Sequence, residues 1–122
     1  MPIIVGPCYT TASIARTLHL TTDDVQRMAG SGELLALTTA DGHTVFPSFQ
    51  LDRDVVVERL GDVLRILRHG VDDPWAWALW LRGHPSSAAP GFTPPSRVEQ
   101  LRAGEAQTVL LAAEHTAYAW RS

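Results

Sequence analysis

The sequence contains no lysine and a single cysteine, Cys8. One cysteine cannot form an internal disulfide, which excludes a disulfide-stabilised scaffold and favours a reducing compartment. The longest apolar run, residues 75–81, has seven residues, whereas a membrane helix needs about 18. Residues 1–5 lack the basic region and the long apolar stretch of a signal peptide. We therefore expect a cytoplasmic protein that does not contact a membrane.

The sequence also has only a small excess of negative over positive charge. Ten arginines oppose thirteen acidic residues, which gives a net charge of −3 at pH 7. Because this balance repels phosphate, nucleic-acid binding would require a local basic patch. The 122 residues, 45% of them hydrophobic and 19% charged, are typical of one globular domain or two very small ones that share a core.

Motifs for catalysis are missing as well. The sequence has no glycine-rich phosphate loop, no Gly-x-Ser-x-Gly elbow and no paired catalytic carboxylates. Cys8 has no neighbouring histidine, which indicates an inert thiol. The five histidines have no spacing typical of a metal site; they are His19, His43, His69, His84 and His115. We predict a protein that is not an enzyme and that needs no cofactor or metal.

Residues 1–50 predict a helix-turn-helix module. Residues 11–18 begin with a hydroxyl cap and place Ile14, Ala15 and Leu18 on one helical face. Residues 22–30 follow as a second helix with two acids in the first turn. The caps that we expect for this second helix are Thr21 or Thr22 at its start and Gly30 or Gly32 at its end.

A β-hairpin is predicted directly after the two helices. Residues 34–39 and 44–46 are rich in strand-forming side chains and flank a short polar segment. Asp41-Gly42 in that segment is typical of a two-residue turn in which both residues adopt positive φ. The order helix, turn, helix and hairpin is that of a small winged helix-turn-helix module.

In such a module the second helix enters the major groove of DNA. Thr22, Gln26 and Arg27 are the residues that would contact the bases, and the Asp41-Gly42 turn would touch the DNA backbone. Asp23 and Asp24 lie where they oppose the field of the duplex. A module that keeps this fold without binding DNA therefore remains an alternative.

Residues 51–122 are predicted to be helical. The pattern over 52–70 predicts one long amphipathic helix, with Gly61 allowing a close helix approach. Asp73-Pro74 begins a helix that ends near Gly83, and Thr93-Pro94 opens a short one that stops at Gly104. Residues 105–120 form the last helix, whose apolar stripe is Val109, Leu110, Ala113, Ala117 and Tyr118.

Three tryptophans lie in the helix after Pro74. Trp75 and Trp77 are about 200° apart around a helix, so Trp75, Trp77 and Trp80 cannot all share one face. One face belongs to the core, and the other meets another helix, a second subunit or a partner. Trp120, close to the last residue of the sequence, is also expected to be docked, either in its own domain or in a partner.

The C-terminal half of the sequence contains, in this order, Trp80-Leu81, Pro85, Gly91, Thr93-Pro94, Leu101 and Gly104-Glu105. In the order and spacing of these residues, this half resembles the toxin-binding domain of the Xre/MbcA/ParS antitoxin family. The resemblance covers residues 60–122, and members of this family commonly carry a helix-turn-helix region ahead of that domain. It implies a non-catalytic protein that binds a RES-domain toxin, an enzyme that consumes NAD⁺, and blocks its active-site cleft. The residues that would bind the toxin are Trp80, Leu81, Pro94, Leu101, Gly104, Trp120 and Arg121.

The sequence and the resemblance together favour a mainly α protein with an N-terminal winged helix-turn-helix-like module (1–50) and a helical toxin-binding and dimerisation domain (51–122). The favoured function is that of a type II antitoxin, and regulation of its own operon by binding operator DNA is a second, separate expectation. A homodimer is expected, because the helices over 52–83 offer more apolar surface than so short a chain readily buries. The alternatives are a winged-helix transcription regulator with a C-terminal dimerisation region and an adaptor without a DNA role.

Overall fold

The computed structural model describes residues 6–85 and 90–122. This part of the chain is mainly helical with a small β-hairpin sheet, which confirms the predicted fold class at that level. Residues 1–5, and residues 86–89 of the loop predicted over 84–92, lie outside the described part. The elements are β1 (Cys8–Thr10), α1 (Thr11–Leu18), α2 (Thr22–Ser31), β2 (Leu37–Thr38), β3 (Thr44–Pro47), a 3₁₀ turn (Ser48–Gln50), β4 (Leu51–Asp52), β5 (Val55–Val56), α3 (Leu60–Gly70), α4 (Pro74–Arg82), α5 (Arg97–Arg102) and α6 (Ala106–Arg121).

The first two helices form where the sequence predicts them, because their ends carry strong local signals. The hydroxyl of Thr10 caps α1, and the hydroxyl of Thr21 accepts the backbone N–H of Asp24 at 3.0 Å to cap α2. Gly32 ends α2 with a φ of 86°, a conformation that glycine adopts without strain.

The strands form a three-stranded antiparallel sheet in the order β1-β3-β2. The sequence analysis did not predict β1. The strand predicted over 34–39 is confined to Leu37–Thr38, because the backbone of Leu35 bonds to the side chain of Gln50 instead of to a neighbouring strand.

The turn between β2 and β3 also differs from the prediction. Gly42 adopts a φ of 86°, but Asp41 does not adopt a positive φ. The backbone N–H of Gly42 donates to the carbonyl of Thr39 at 2.9 Å, and the N–H of Thr39 donates to the carbonyl of His43 at 2.8 Å. These bonds define a three-residue connection that ends in a left-handed glycine, in place of the two-residue turn.

The helix predicted over 52–70 is wrong in its first eight residues, since α3 begins only at Leu60. Strands β4 and β5 pair there, with Leu51 opposite Val56 and Asp52 opposite Val55. The two residues between the strands, Arg53 and Asp54, have φ values of 53° and 65°, as a tight hairpin turn requires. Three consecutive valines, 55–57, favour extended backbone over helix.

The core consists of two groups of buried side chains. One lies between α1, α2 and the sheet, and it includes Ile14, Val25 and Phe46. The other lies between α3, α4, α5 and α6, and it also takes in Leu35, Leu37 and Phe49 from residues 1–50. The two parts of the chain therefore share buried contacts across residue 50.

A glycine allows a close helix approach at Gly70, between α3 and α6, and not at the predicted Gly61. A Cβ added to Gly70 would lie 2.6 Å from the Cα atom of Ala117, whereas one at Gly61 would be 3.6 Å from the nearest atom. The last helix buries Val109, Ala113 and Ala117, as predicted. Tyr118, which was placed on the same stripe, is instead 68% exposed, because its helical position is about 100° from that of Ala117.

The other helix boundaries follow their capping residues. Helix α4 begins at Pro74 with Asp73 as its cap and ends before Gly83, as predicted. Helix α5 begins later than Thr93-Pro94, because the hydroxyl of Ser96 accepts the N–H of Glu99 in a capping box. Within the described residues no helix is long and apolar enough to cross a membrane.

Much of the apolar surface that favoured a homodimer is covered within the chain itself. Leu60, Val63, Leu64 and Leu67 of α3 are all buried, and α3 packs mainly against α6. Helix α4 buries Trp77 but leaves Trp75 and Leu79 exposed. The apolar face of α3 therefore provides no surface for a second copy, and the homodimer stays a prediction.

Candidate functional site

Helix α2 presents a polar face to solvent. Val25 is buried against α1 and the sheet, and this fixes the orientation of the helix. Thr22, Asp23, Gln26 and Arg27 are exposed, and their spacing puts them on adjacent positions of the opposite side. The structure thus brings together the three residues that the sequence predicts for base contacts.

Asp24 is the exception to this outward face, because its carboxylate bonds back onto α2. It accepts the N–H of Thr21 at 3.3 Å and a hydrogen bond from the Arg27 guanidinium at 2.7 Å. The hydrogen bonds from Thr21, followed by that from Arg27, hold the pKa of Asp24 below its ordinary value. Asp24 therefore has a local structural role, and because the pair is exposed it leaves the Arg27 guanidinium accessible to a stronger partner. Asp23 remains the carboxylate that faces outward.

The β2–β3 hairpin lies across a groove from the start of α1. Thr10, Thr11 and Ala12 line one side of this groove, and residues 39–45 line the other. Asp41, Gly42 and His43 at the hairpin tip are exposed. Thr10 and Thr11 are not among the residues predicted to line a site, because a hydroxyl at a helix start indicates a cap and does not indicate which residues lie opposite.

The C-terminal part of the chain supports the hairpin. The indole Nε1–H of Trp75 donates to the carbonyl of Thr38 at 3.2 Å, and Val45 packs against the larger core group. The Arg102 guanidinium donates to the carbonyls of Phe49 and Leu51, in the segment that directly follows the hairpin. The hairpin is therefore held from both halves of the chain. The sequence carries no local signal for these hydrogen bonds, because the bonded residues are separated by between 37 and 53 positions along the chain.

Two of the residues predicted to bind a toxin are inside the protein. Leu81 and Leu101 are buried in the larger core group and do not reach the surface. Trp80 is half-buried: its indole N–H donates to the Thr116 hydroxyl at 2.9 Å, and the Arg97 guanidinium lies 5.3 Å from the centre of its ring.

The other four predicted toxin-binding residues do not form one site; they are Pro94, Gly104, Trp120 and Arg121. Gly104 makes the turn before α6 with a φ of 83°, and Arg121 is at the other end of that helix. Sixteen residues separate them along α6, a length of about 24 Å. Arg121 donates to the carbonyl of His69 at 3.3 Å. Trp120 packs against the larger core group, and the carbonyl of Pro94 lies 2.6 Å from the His84 Nδ1 atom.

The titratable side chains do not form a metal-binding arrangement in the part of the chain that the structure describes. No group of three or more histidine, cysteine, aspartate or glutamate side chains is close enough there to hold an ion. Cys8 is exposed, and partial burial raises the pKa of its thiol. A raised pKa leaves less of the reactive thiolate at neutral pH.

The arrangement of helices and strands defines the class to which the chain belongs, that of small, mainly α proteins with a small β-hairpin sheet, here accompanied by the two-stranded pair β4-β5. The fold is similar to that in the NMR structure of Rv2175c, with a TM-score of 0.74 and 24% sequence identity over 92% of this chain and 82% of that one. At this identity the similarity shows a shared fold. No protein-family model and no curated protein matches the sequence.

Proposed function

We propose that residues 1–50 form a winged helix-turn-helix module that binds double-stranded DNA, and that the protein is a DNA-binding transcription regulator. The observation that carries this proposal is the outward face of α2, where Thr22, Gln26 and Arg27 lie together. An α-helix with its side chains is about 10–12 Å in diameter, which fits a major groove about 12 Å wide, and the ten residues of α2 provide about three turns.

The positions of β1 and the hairpin support the same function. Strand β3 pairs with β1 ahead of α1 and with β2 after α2, so the sheet and the two helices form one unit around Ile14, Val25 and Phe46. A hairpin fixed in this way can contact the DNA backbone while α2 contacts the bases. Its bond to Trp75 holds it in place relative to the rest of the chain, and Arg102 holds the segment that directly follows it.

Electrostatics predicts which substitutions change DNA affinity. Replacing Arg27 with Ala removes the cation on the proposed DNA face and should weaken binding about tenfold, the loss expected for one charge-assisted contact. Asp23→Asn removes an exposed carboxylate from the same face without altering its shape, and it should tighten binding. The measurement is fluorescence anisotropy with duplexes that tile the region upstream of the protein's own reading frame, at several salt concentrations.

Arg121→Ala is the matched control, because Arg121 is an exposed arginine at the far end of α6. It should leave DNA affinity unchanged, while the wild-type affinity falls steeply with salt. Equal effects of the Arg27 and Arg121 substitutions would contradict the assignment of α2. Absence of binding to every duplex at low salt would contradict DNA binding itself.

We propose toxin neutralisation, the function implied by the family resemblance, as a second candidate. The observation that favours it is the outer side of α6, where Leu111 and Tyr118 are exposed one above the other and Arg121 follows. Tyrosine and arginine are among the residues that dominate the binding energy of protein interfaces, and the exposed Leu111 adds apolar surface beside them. The partner would be a RES-domain toxin encoded next to this chain.

Co-expression with the neighbouring reading frame tests this second candidate. The wild-type chain should rescue growth and co-purify with the toxin, and the double variant Tyr118→Ala/Arg121→Ala should lose both properties because it removes exposed contact groups. Point variants are preferable to truncation after Ala119, since Trp120 packs against the core and its loss would also destabilise the fold. Arg27→Ala should rescue growth fully. A harmless neighbour, or full rescue by the double variant, would contradict the candidate.

A further inference from the structure

A cleft lies between the DNA-facing module and the helical part of the chain. It has a volume of about 300 Å³ and is lined by the end of α2, by the segment leading into β2, and by α3, α4 and the connection between them. Ala29, Gly32 and Ala36 form one wall, and Leu64 and Trp77 belong to the other. Neither half of the chain forms the cleft alone.

The base of the cleft is apolar. Leu34, Leu64 and Trp77 are all buried residues that contribute part of their surface to it. The Trp77 indole N–H is already bonded to the carbonyl of Val71 at 2.8 Å, so the ring offers the cleft only its apolar surface. Volumes near 300 Å³ are at the lower end of those found for small-molecule sites, which suits an aromatic ring or a short aliphatic chain.

The rim of the cleft is cationic. Arg65 and Arg68, one turn apart on α3, both line it, and Asp72 is the acidic residue among the lining side chains. Arg65 pairs with Asp62, and Arg68 reaches Asp72 only at 3.7 Å. Each guanidinium has five N–H groups. Because both Arg–Asp pairs are largely exposed, the aspartates contribute little binding energy, and Arg65 and Arg68 can bind a stronger anionic partner instead.

We propose that this cleft binds a small organic carboxylate with an apolar body. The body occupies the space against Leu64 and Trp77, and the carboxylate accepts hydrogen bonds from Arg68 and Arg65 at the rim. A planar guanidinium and a carboxylate match in geometry, which favours this anion over a neutral group. The site is separate from the outward face of α2, although Ala29 and Gly32 connect the two.

Benzoate is the probe for the test, and benzyl alcohol is its neutral counterpart. In ¹⁵N-edited NMR spectra, benzoate should shift the Trp77 indole signal and the amides of Ser31, Gly32 and Leu64 in a saturable manner. Benzyl alcohol should bind at least about tenfold more weakly, since it lacks the charge-assisted bonds. Because no DNA is present, the outcome does not depend on the proposed function.

Two variants and one control make the result specific. Arg68→Gln should weaken benzoate binding about tenfold, and Ala29→Leu should abolish it by filling the cleft without changing charge. Arg53→Gln, on the β4–β5 turn and not among the residues that line the cleft, should have no effect. Equal affinities for the two probes, shifts that do not saturate, or equal effects of the Arg53 and Arg68 substitutions would each overturn the proposal.

Discussion

Replacing Gln50 with Leu should destabilise the protein by about 3 kcal/mol or more, because several buried polar groups lose their partners. The Gln50 side chain is fully buried. Its Oε1 atom accepts the N–H of Leu35 at 2.8 Å, and its Nε2 group donates to the carbonyls of Leu35 and Pro47 at 2.9 and 3.0 Å. The amide thus takes the place of a strand neighbour for Leu35.

Leucine fills a similar volume but offers no hydrogen bond. Three backbone groups would then remain buried without partners, and each such group costs about 1–3 kcal/mol. Since small domains are stable by only about 5–15 kcal/mol, the loss would be a large share of the total. The free energy of unfolding, from urea denaturation followed by circular dichroism, measures it.

Gln107→Leu is the matched control, because Gln107 is exposed near the start of α6. The same chemical change there should alter stability by less than about 0.5 kcal/mol. If Gln50→Leu cost no more than Gln107→Leu, the bonds of the Gln50 amide would contribute nothing net to stability. The variant should also loosen β2, which follows Leu35 directly, and hydrogen exchange at the Thr39 amide reports this.

Gln50 also illustrates what the sequence does not reveal. Helix ends depend on a few neighbouring residues, and so the caps of α2 and α4 were predicted from Thr21 and Asp73. The partner of Gln50 is fifteen positions away, and nothing in the local pattern selects it. The same holds for the Trp75 bond to Thr38, which connects α4 to the hairpin.

In residues 52–59 the spacing of the apolar side chains is helical, but the segment forms a β-hairpin instead of a helix. Val56 and Leu60 have helical spacing with the apolar residues of α3, so the pattern extends the helix backwards. The three valines at 55–57 carry the opposite preference, and the positive φ values of Arg53 and Asp54 close a hairpin there. The β-strand preference of the three valines outweighs the helical spacing of the apolar residues here, and it indicates a helix start closer to Leu60.

The candidate sites also differ in whether their residues are close together in the sequence. Thr22, Gln26 and Arg27 belong to one helix, and the helical period alone brings them together. The predicted toxin-binding residues span α4, α5 and α6, and linear order cannot show that Leu81 and Leu101 point into the core while Arg121 lies at a helix end. The cleft beside Arg68 is formed by elements from both halves, so it became visible only in three dimensions.

Replacing Gly70 with Ala should destabilise the protein by about 1–3 kcal/mol through overpacking. The added Cβ would lie 2.6 Å from the Cα atom and 2.8 Å from the carbonyl oxygen of Ala117. Backbone atoms cannot rotate away as the end of a flexible side chain can, so α3 and α6 would have to separate. These helices make the most extensive contact in the structure, and their separation would loosen the larger core group.

Gly30→Ala is the matched control, and the expected change has the opposite sign. A Cβ at Gly30 meets no atom within 4 Å, and Gly30 has no positive φ. Alanine there should stabilise the protein by about 0.5–1 kcal/mol, because it reduces the freedom of the unfolded chain and favours helix. Urea denaturation of both variants measures the difference.

The identity of the clashing atoms makes a second-site test possible. If Gly70→Ala acted on the side chain of Ala117, then Ala117→Gly would relieve it. Because the contacts are with the backbone of Ala117, removing its methyl group does not remove the clash, and the double variant should be no more stable than Gly70→Ala alone. A double-mutant cycle measures this, since residues in contact can couple by about 0.5–3 kcal/mol. Recovery of stability in the double variant would mean that α3 and α6 are spaced by the Ala117 methyl group. A double variant no more stable than Gly70→Ala would instead assign the spacing of these helices to direct contact between their backbones, for which glycine at position 70 is required.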